Sequence, residues 1–220
     1  MRILILGATG RTGSALLGEL PPDVDAVAAL RRYDDVVRLP RSSCGLTHVV
    51  LTLEDAATLR RAVDGVDVIV NAIRLREDIA PAALIGIHLR LLNAAADREP
   101  DPLIVTVGGA GSLRLPNGTR FWQHPTFPAR TLPRGIAHAH LRDYLESGQA
   151  GDRWAYLVPP PAFIPERPRH GSFSMLPPGG DETAFTTRSI GYTDFACALA
   201  ASAQNETTGT WLVSERSDAD

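Results

Sequence analysis

Apolar residues in the first half of the chain come in short unbroken runs rather than in alternation with polar ones. Ile3-Leu4-Ile5-Leu6 is the first run, and Val24–Leu30, Leu46–Leu53, Val66–Ala72 and Leu103–Val107 follow. A strand buried on one face alternates, so unbroken runs predict strands covered on both faces. Between the runs the apolar positions fall at helical spacing, over Ser14–Leu20, Glu54–Val63 and Glu77–Asp97. The last of these carries Ile79, Ala83, Ile87 and Leu91 along one face. Pro21-Pro22 stops the first helix, and Tyr33–Leu39 reads as a weak helix cut off by Pro40. Strands alternating with helices predict right-handed βαβ units, hence an α/β fold with a doubly wound parallel sheet. Ligands of such sheets sit at the C-terminal strand ends, so the residues after Leu6, Leu30, Leu53, Ala72 and Val107 face one crevice.

The pattern loosens after the glycines at 108–111. Ser112–Arg134, with its prolines and aromatics, reads as a loop over the crevice. Ile136–Gly148 predicts a helix and Trp154–Val158 a sixth strand, stopped by Pro159-Pro160-Pro161. Ala162–Thr187 reads as irregular, Thr193–Ala203 as helical, Thr210–Val213 as a last short strand and Ser214–Asp220 as a frayed end. With no repeat and no linker, a single domain over residues 1–220 is expected. Its substrate-side segments, about 112–135 and 160–190, form a small irregular C-terminal substrate lobe.

Composition narrows the partners. A net charge of −3 over 220 residues offers no basic face for nucleic acid or an anionic membrane. No apolar run is long enough to span a bilayer, and the N-terminal run is too short for a signal segment. A cytoplasmic protein acting on a small molecule, as monomer or homodimer, is the expectation. Cys44 and Cys197 make neither a disulfide framework nor a metal pattern. His138 and His140 stand two apart on a helix and so point to different faces, which argues against a metal there too. All 22 basic residues are arginine. Arginine stays protonated, so Schiff-base or lysine-relay chemistry is excluded, although a GC-rich genome alone produces the same bias.

The strongest local signal is R-I-L-I-L-G-A-T-G-R-T-G at Arg2–Gly13. Gly7, Gly10 and Gly13 stand at G-x-x-G-x-x-G spacing between a strand and a helix, with Thr9, Arg11 and Thr12 between and beside them. The first glycine permits the sharp turn, and the second removes the side chain that would block a pyrophosphate. The third lets helix and strand pack closely, with the helix N–H groups facing an anion. A tight turn can use such glycines without a ligand, but the strand before and helix after fit a dinucleotide cradle. At the end of the second strand, where NAD-specific folds place an acid, this chain has Arg31 and Arg32. With Arg11 they favour NADP over NAD, because a guanidinium pairs a 2′-phosphate bidentately; nearby Asp34 and Asp35 blur that reading. By topology Thr52-Leu53, Ala72-Ile73-Arg74 and Val107-Gly108 flank the cofactor, although the apolar members serve equally as core. Arg74 is the most informative, since packing does not explain a charge at a strand end.

The chain resembles the atypical short-chain dehydrogenases of the NAD(P)H-binding, NmrA-like branch, which also holds NADH-flavin reductases and is related to biliverdin/flavin reductases. The likeness is carried by G-A-T-G-R-T-G at 7–13, V-G-G-A-G-S-L at 107–113, P-T-F-P at 125–128 and A-H-A at 137–139. It continues in W-A-Y-L-V-P-P-P-A-F-I at 154–164, G-G-D at 179–181 and Y-T-D-F-A at 192–196. It implies a Rossmann-like fold, bound NAD(P) and a reductase-like activity. It also implies that His138 matches a family histidine facing the crevice, that Ser112 stands where related folds put a catalytic serine or threonine, and that Phe163 walls the nicotinamide. Ser112 is equally ordinary turn chemistry.

One departure is decisive. Tyr144 lies in the helix that carries the catalytic Tyr-x-x-x-Lys of mainstream members, but the residue four positions on is Gly148. A tyrosine near its unperturbed pKa of about 10 is a poor base without a cation beside it. His138, near 6.5 when unperturbed, suits neutral pH better as a proton donor. The expected function is an NADPH-dependent reductase of a flavin, quinone or enone, since such acceptors can take their proton from water. The alternatives are an NmrA-type redox-sensing regulator and a non-redox isomerase, cyclase or dehydratase on the same fold.

Overall fold

The structure, a computed structural model, describes residues 1–76 and 79–216. In chain order the strands are β1 (Arg2–Leu6), β2 (Asp25–Leu30), β3 (Gly45–Val50), β4 (Val68–Asn71), β5 (Leu103–Val107), β6 (Trp154–Val158), β7 (Ala162–Ile164), β8 (Phe173–Leu176), β9 (Ser189–Gly191) and β10 (Gly209–Glu215). The α-helices are α1 (Arg11–Glu19), α2 (Ala56–Val63), α3 (Ala83–Ala95), α4 (Leu132–Glu146) and α5 (Tyr192–Gln204). One sheet runs β3-β2-β1-β4-β5-β6-β10-β8, and a small one pairs β7 with β9. In the large sheet every pair is parallel except β8 on β10. The order reverses between β1 and β4, which is where a doubly wound sheet opens its ligand crevice.

Alternation along the buried strands divides the core in two. Leu4, Leu6, Ile69 and Ile104 face the layer of α2, α3 and α4, where Leu59, Leu91 and Leu141 pack on them. Ile3, Ile5, Val70 and Val105 face the other way, against Leu16 and Leu17 of α1 and Phe195 and Leu199 of α5. Burial on both faces is what makes β1, β4 and β5 read as nearly unbroken apolar runs, whereas β3, at the sheet edge, is largely exposed.

Several boundaries differ from the sequence reading, each for a local reason. The third helix does not extend over Glu77–Asp97 but begins at Ala83. Pro81 disfavours helix at Ala80, and Glu77 and Asp78 lie outside the described residues. The fourth helix starts at Leu132, because Pro133 sits in its first turn, where a missing N–H costs nothing. The first helix starts at Arg11, with Gly13 inside it. The stretch 162–187 holds β7 and β8, short strands that exist through pairing with the distant β9 and β10. Ser214 and Glu215 belong to β10 rather than to a frayed end, and residues 217–220 lie outside the described residues. Among the described residues no helix is long and apolar enough to cross a membrane, and no cluster of His, Cys, Asp or Glu could hold a metal ion.

Buried charges tie the outer segments to this frame. The Arg142 guanidinium, with no exposed surface, donates to both Glu182 oxygens at 2.8 and 2.7 Å and to Glu146 at 2.8 Å. Burial works against its charge, but the two carboxylates more than offset that and raise its pKa. The buried Asp194 carboxylate, in the first turn of α5, accepts the Gly171 N–H at 2.7 Å and so anchors the segment before β8. Arg169 pairs with Glu19 at 3.1 Å, which fixes the same segment to α1.

His88, on α3, is buried, and neither ring nitrogen has a hydrogen-bond partner among the described residues. Burial lowers its pKa from 6.5 to about 4. The unfolded chain therefore binds this proton first as pH falls. Stability is full above pH ~6.5 and declines towards pH ~4, by up to about 3 kcal/mol from this group. Urea unfolding of His88→Phe is expected to lose correspondingly less stability between pH 7 and pH 4.5 than the parent. Equal losses would show that His88 does not carry the effect.

Candidate functional site

The crevice lies where β1, β4, β5 and β6 end. Gly7 turns the chain at φ +78°, and a Cβ on it would lie 2.7 Å from the Ala72 carbonyl oxygen. A Cβ on Gly13 would lie 2.3 Å from the Gly7 carbonyl oxygen, so α1 meets the turn backbone to backbone. Gly10 caps α1 without a side-chain hydrogen bond, which leaves the first-turn N–H groups for a ligand. This bare, uncapped helix start fits a dinucleotide pyrophosphate.

A cavity of about 380 Å³ extends from the turn. Arg11 and Thr12 enter it from α1, and Ala72, Ile73 and Arg74 from the end of β4. Val107 and Gly108 enter from β5, His138 from α4 and Phe163 from β7. Gly7, Thr9, Gly10 and Gly13 form the turn behind this lining. Arg31 and Arg32 are exposed past the end of β2, and Arg32 is paired with Asp34 at 3.1 Å. Thr52 is exposed and Leu53 packs on the core, both outside the lining.

The three proton-handling candidates separate. Ser112 is fully buried, its hydroxyl donating to the Gly109 carbonyl at 2.8 Å, and it does not reach the cavity. Tyr144, six residues after His138, is turned to another face of α4, where its ring meets His88 edge-on at 6.1 Å. His138 alone lines the crevice. Its Nδ1 lies 3.0 Å from the Tyr156 hydroxyl, which also takes the Gly109 N–H at 3.3 Å and lies 3.2 Å from the His138 carbonyl. Burial, and then the charge of Arg134, lower the His138 pKa to about 4. The imidazole is therefore neutral at pH 7 and titrates below the ordinary 6.5 of a free histidine. Burial raises the Tyr156 pKa, so its hydroxyl stays protonated and holds the ring by hydrogen bonding. Gly109 seats that ring, since a Cβ there would lie 2.6 Å from His138 Cδ2.

The sequence reading missed Tyr156, Gly109, Arg130, Arg134 and Tyr192. Tyr156 carried a signal, because a tyrosine within a fully buried strand needs a partner for its hydroxyl. Tyr192 stacks on Phe163 with centroids 3.8 Å apart and planes 6° apart, making a flat aromatic wall. Phe121 and Phe127 meet edge-on at 5.4 Å and bring part of the aromatic loop into the lining, whereas Trp122 faces elsewhere. Arg11, Arg74, Arg130 and Arg134 all line the cavity, and none has an ion pair among the described residues. A second cavity, about 430 Å³, opens beside exposed His140, but its Arg114 and Arg120 are already paired with Glu146 and Asp143. The site is the crevice at the glycine turn.

Comparison with known proteins agrees with that geometry. A family model described as NAD(P)H-binding matches residues 7–206. No curated protein matches the sequence. Among solved structures, a protein of Streptococcus pneumoniae TIGR4 provisionally named an NADH-flavin reductase superposes with a TM-score of 0.76 at 20% identity, over 98% of this chain and 100% of that one. The oxidoreductase ylbE of Lactococcus lactis gives 0.77 at 19%, over 98% and 91%. A Bacillus halodurans protein provisionally named an NAD-dependent epimerase/dehydratase gives 0.74 at 22%, over 98% and 94%. At such identities the likeness is one of fold.

Proposed function

Since the chain belongs to the NAD(P)H-binding family, we propose that it is an NADPH-dependent reductase that delivers hydride to a flat conjugated or aromatic acceptor, of flavin, quinone or enone type. The observation that carries this reading is the shared cavity, into which the glycine cradle, His138 and the Phe163–Tyr192 wall all open.

The Gly7–Gly13 turn and the N-terminus of α1 would hold the pyrophosphate, with Ala72, Ile73, Val107 and Gly108 along the ribose and nicotinamide side. When bound, the reduced nicotinamide supplies the hydride, and the protein supplies orientation and exclusion of water. The chain's own proton chemistry is weak. It has no lysine to lower a tyrosine pKa, and a neutral imidazole at His138 is a hydrogen-bond donor or acceptor rather than a strong acid. Such a site suits an acceptor that protonates from water, more than a ketone that must be protonated in the transition state. The stacked wall suits a planar molecule.

Steady-state consumption of NADPH against a panel of a flavin, a quinone and an enone tests the reading. Turnover with at least one class is expected, and tight NADPH binding with no turnover across the panel would overturn it. Cofactor choice rests on Arg31, Arg32 and Arg11. Exposed guanidiniums at the β2 end can take up a 2′-phosphate, although Arg32 must first leave Asp34. Arg31→Ala combined with Arg32→Ala is expected to weaken NADPH binding about tenfold while leaving NADH unchanged. Equal or tighter binding of NADH by the parent protein would contradict the NADP assignment.

A further inference from the structure

We propose that the acceptor taken at this site carries an oxyanion, a carboxylate or a phosphate, gripped by Arg130 and Arg134 with Arg74 opposite. The proposal rests on the reductase reading only in calling the ligand an acceptor. The anion site itself follows from how charge is distributed in the crevice.

The more buried arginines of the outer segments are neutralised locally, whereas Arg31, Arg41 and Arg90 stand in solvent without an ion pair among the described residues. Arg142 holds Glu182 and Glu146, Arg114 holds Glu146, Arg120 holds Asp143, Arg167 holds Glu215 and Arg169 holds Glu19. The cavity differs in gathering several such guanidiniums into one lining with no carboxylate among its residues, although the chain has more acidic residues (25) than basic ones (22). Arg74, Arg130 and Arg134 converge on it with no ion pair among the described residues. They are close enough to repel. Burial first, then the positive charges of Arg74 and Arg130, lower the Arg134 pKa. Guanidiniums are held together against that repulsion at little cost when an anion completes the set.

The dinucleotide does not account for Arg130 and Arg134, although Arg74, at the end of β4, is also placed to flank it. Its pyrophosphate would be met by the N-terminus of α1, and a 2′-phosphate by Arg11, Arg31 and Arg32. Arg134 lies one helical turn before His138 on α4, and Arg130 stands in the short 3-10 turn Ala129–Thr131 that leads into that helix. Both line the same cavity as His138. Tyr192, half of the stacked aromatic wall, also acts on Arg134 electrostatically. A planar body on that wall would carry a charged substituent into the arginines. A guanidinium presents two parallel N–H donors, which match a carboxylate or phosphate edge and no neutral carbonyl so well.

The test uses two redox-inert planar probes of one shape, 2-naphthoate and the uncharged 2-naphthamide. Each is titrated calorimetrically into the protein saturated with NADP⁺, so that the pyrophosphate cradle is already filled. Naphthoate is expected to bind at least about tenfold more tightly than naphthamide. Arg130→Gln and Arg134→Gln are each expected to remove most of that preference and leave naphthamide affinity unchanged. Arg130 is exposed, so its variant folds even if replacement of the half-buried Arg134 disturbs α4. Equal affinities, no binding of naphthoate, or a preference that survives in both variants would overturn the proposal. No turnover enters the measurement. Failure of the charge preference therefore leaves the reductase reading standing, and failure of NADPH oxidation leaves the anion site standing.

Discussion

Replacing Glu182 by alanine is expected to lower the folding free energy by about 3–5 kcal/mol, the largest stability loss of any single surface-lobe substitution. Arg142 has no exposed surface, and Glu182 supplies both acceptors of its bidentate pair. Without them the guanidinium keeps Glu146 at 2.8 Å and the Ser112 carbonyl at 3.0 Å, which partly satisfy it and set the lower end of the range. Glu182 also accepts the N–H groups of Arg114 and Gly179, so the loss reaches the loop after β5 and the segment after β8. The penalty comes from a buried guanidinium left with one carboxylate in place of two, and not from the worth of the pair itself. The double variant Arg142→Met with Glu182→Leu should therefore be markedly more stable than Glu182→Ala alone. Chemical denaturation checks both statements. A loss below about 1 kcal/mol for Glu182→Ala would show that the pair is solvated rather than buried.

Gly10→Ala and Gly13→Ala are expected to separate binding from folding at the glycine turn. A methyl at Gly10 meets only the Gly7 carbonyl, at 3.1 Å, and the backbone there has an ordinary φ of −81°. The fold should tolerate it. The methyl would stand where the pyrophosphate approaches the backbone, so NADPH affinity should fall by roughly 10- to 100-fold with little change in stability. A methyl at Gly13 meets the Gly7 oxygen at 2.3 Å and the Ala8 Cα at 2.8 Å, both backbone atoms that cannot swing aside. That variant should lose about 1–3 kcal/mol of stability along with its affinity. Gly10→Ala with unchanged NADPH binding would mean the turn is a packing device and not a cradle.

The parts of the fold legible in the sequence are those set by local chemistry. Ile3–Leu6 and Leu103–Val107 read as strands because burial on both faces leaves at most one polar position, Thr106, to interrupt the pattern. Gly7, Gly10 and Gly13 read as a cradle because each spacing answers to a separate steric demand, and the structure shows that crowding at Gly7 and Gly13. Non-local effects were not legible. β7 and β8 have no pattern of their own and exist through partners across the sheet. Pro81 and Pro133 act at helix starts, which a count of apolar spacing overlooks. At the site, Arg74 was found because a charge at a strand end resists a packing explanation. Arg130 and Arg134 were passed over inside a stretch read as a loop, and the convergence of all three needs the third dimension. The protonation of His138 is not legible for a similar reason. Sequence supplies the ordinary pKa of a histidine, but the burial and the Arg134 charge that move His138 to about 4 are features of the folded crevice.

The central claim is that this crevice performs hydride transfer rather than only holding a dinucleotide. It is tested most directly with NADPH stereospecifically deuterated at the nicotinamide C4, turned over with the best acceptor of the panel, and with the deuterium remaining in the NADP⁺ measured by mass spectrometry. The fixed wall of Phe163 on Tyr192 and the single His138 face predict one-sided transfer. One labelled epimer should yield NADP⁺ free of deuterium and the other should retain all of it. NADPH that binds tightly and is never consumed, or label lost equally from both epimers, would contradict the account.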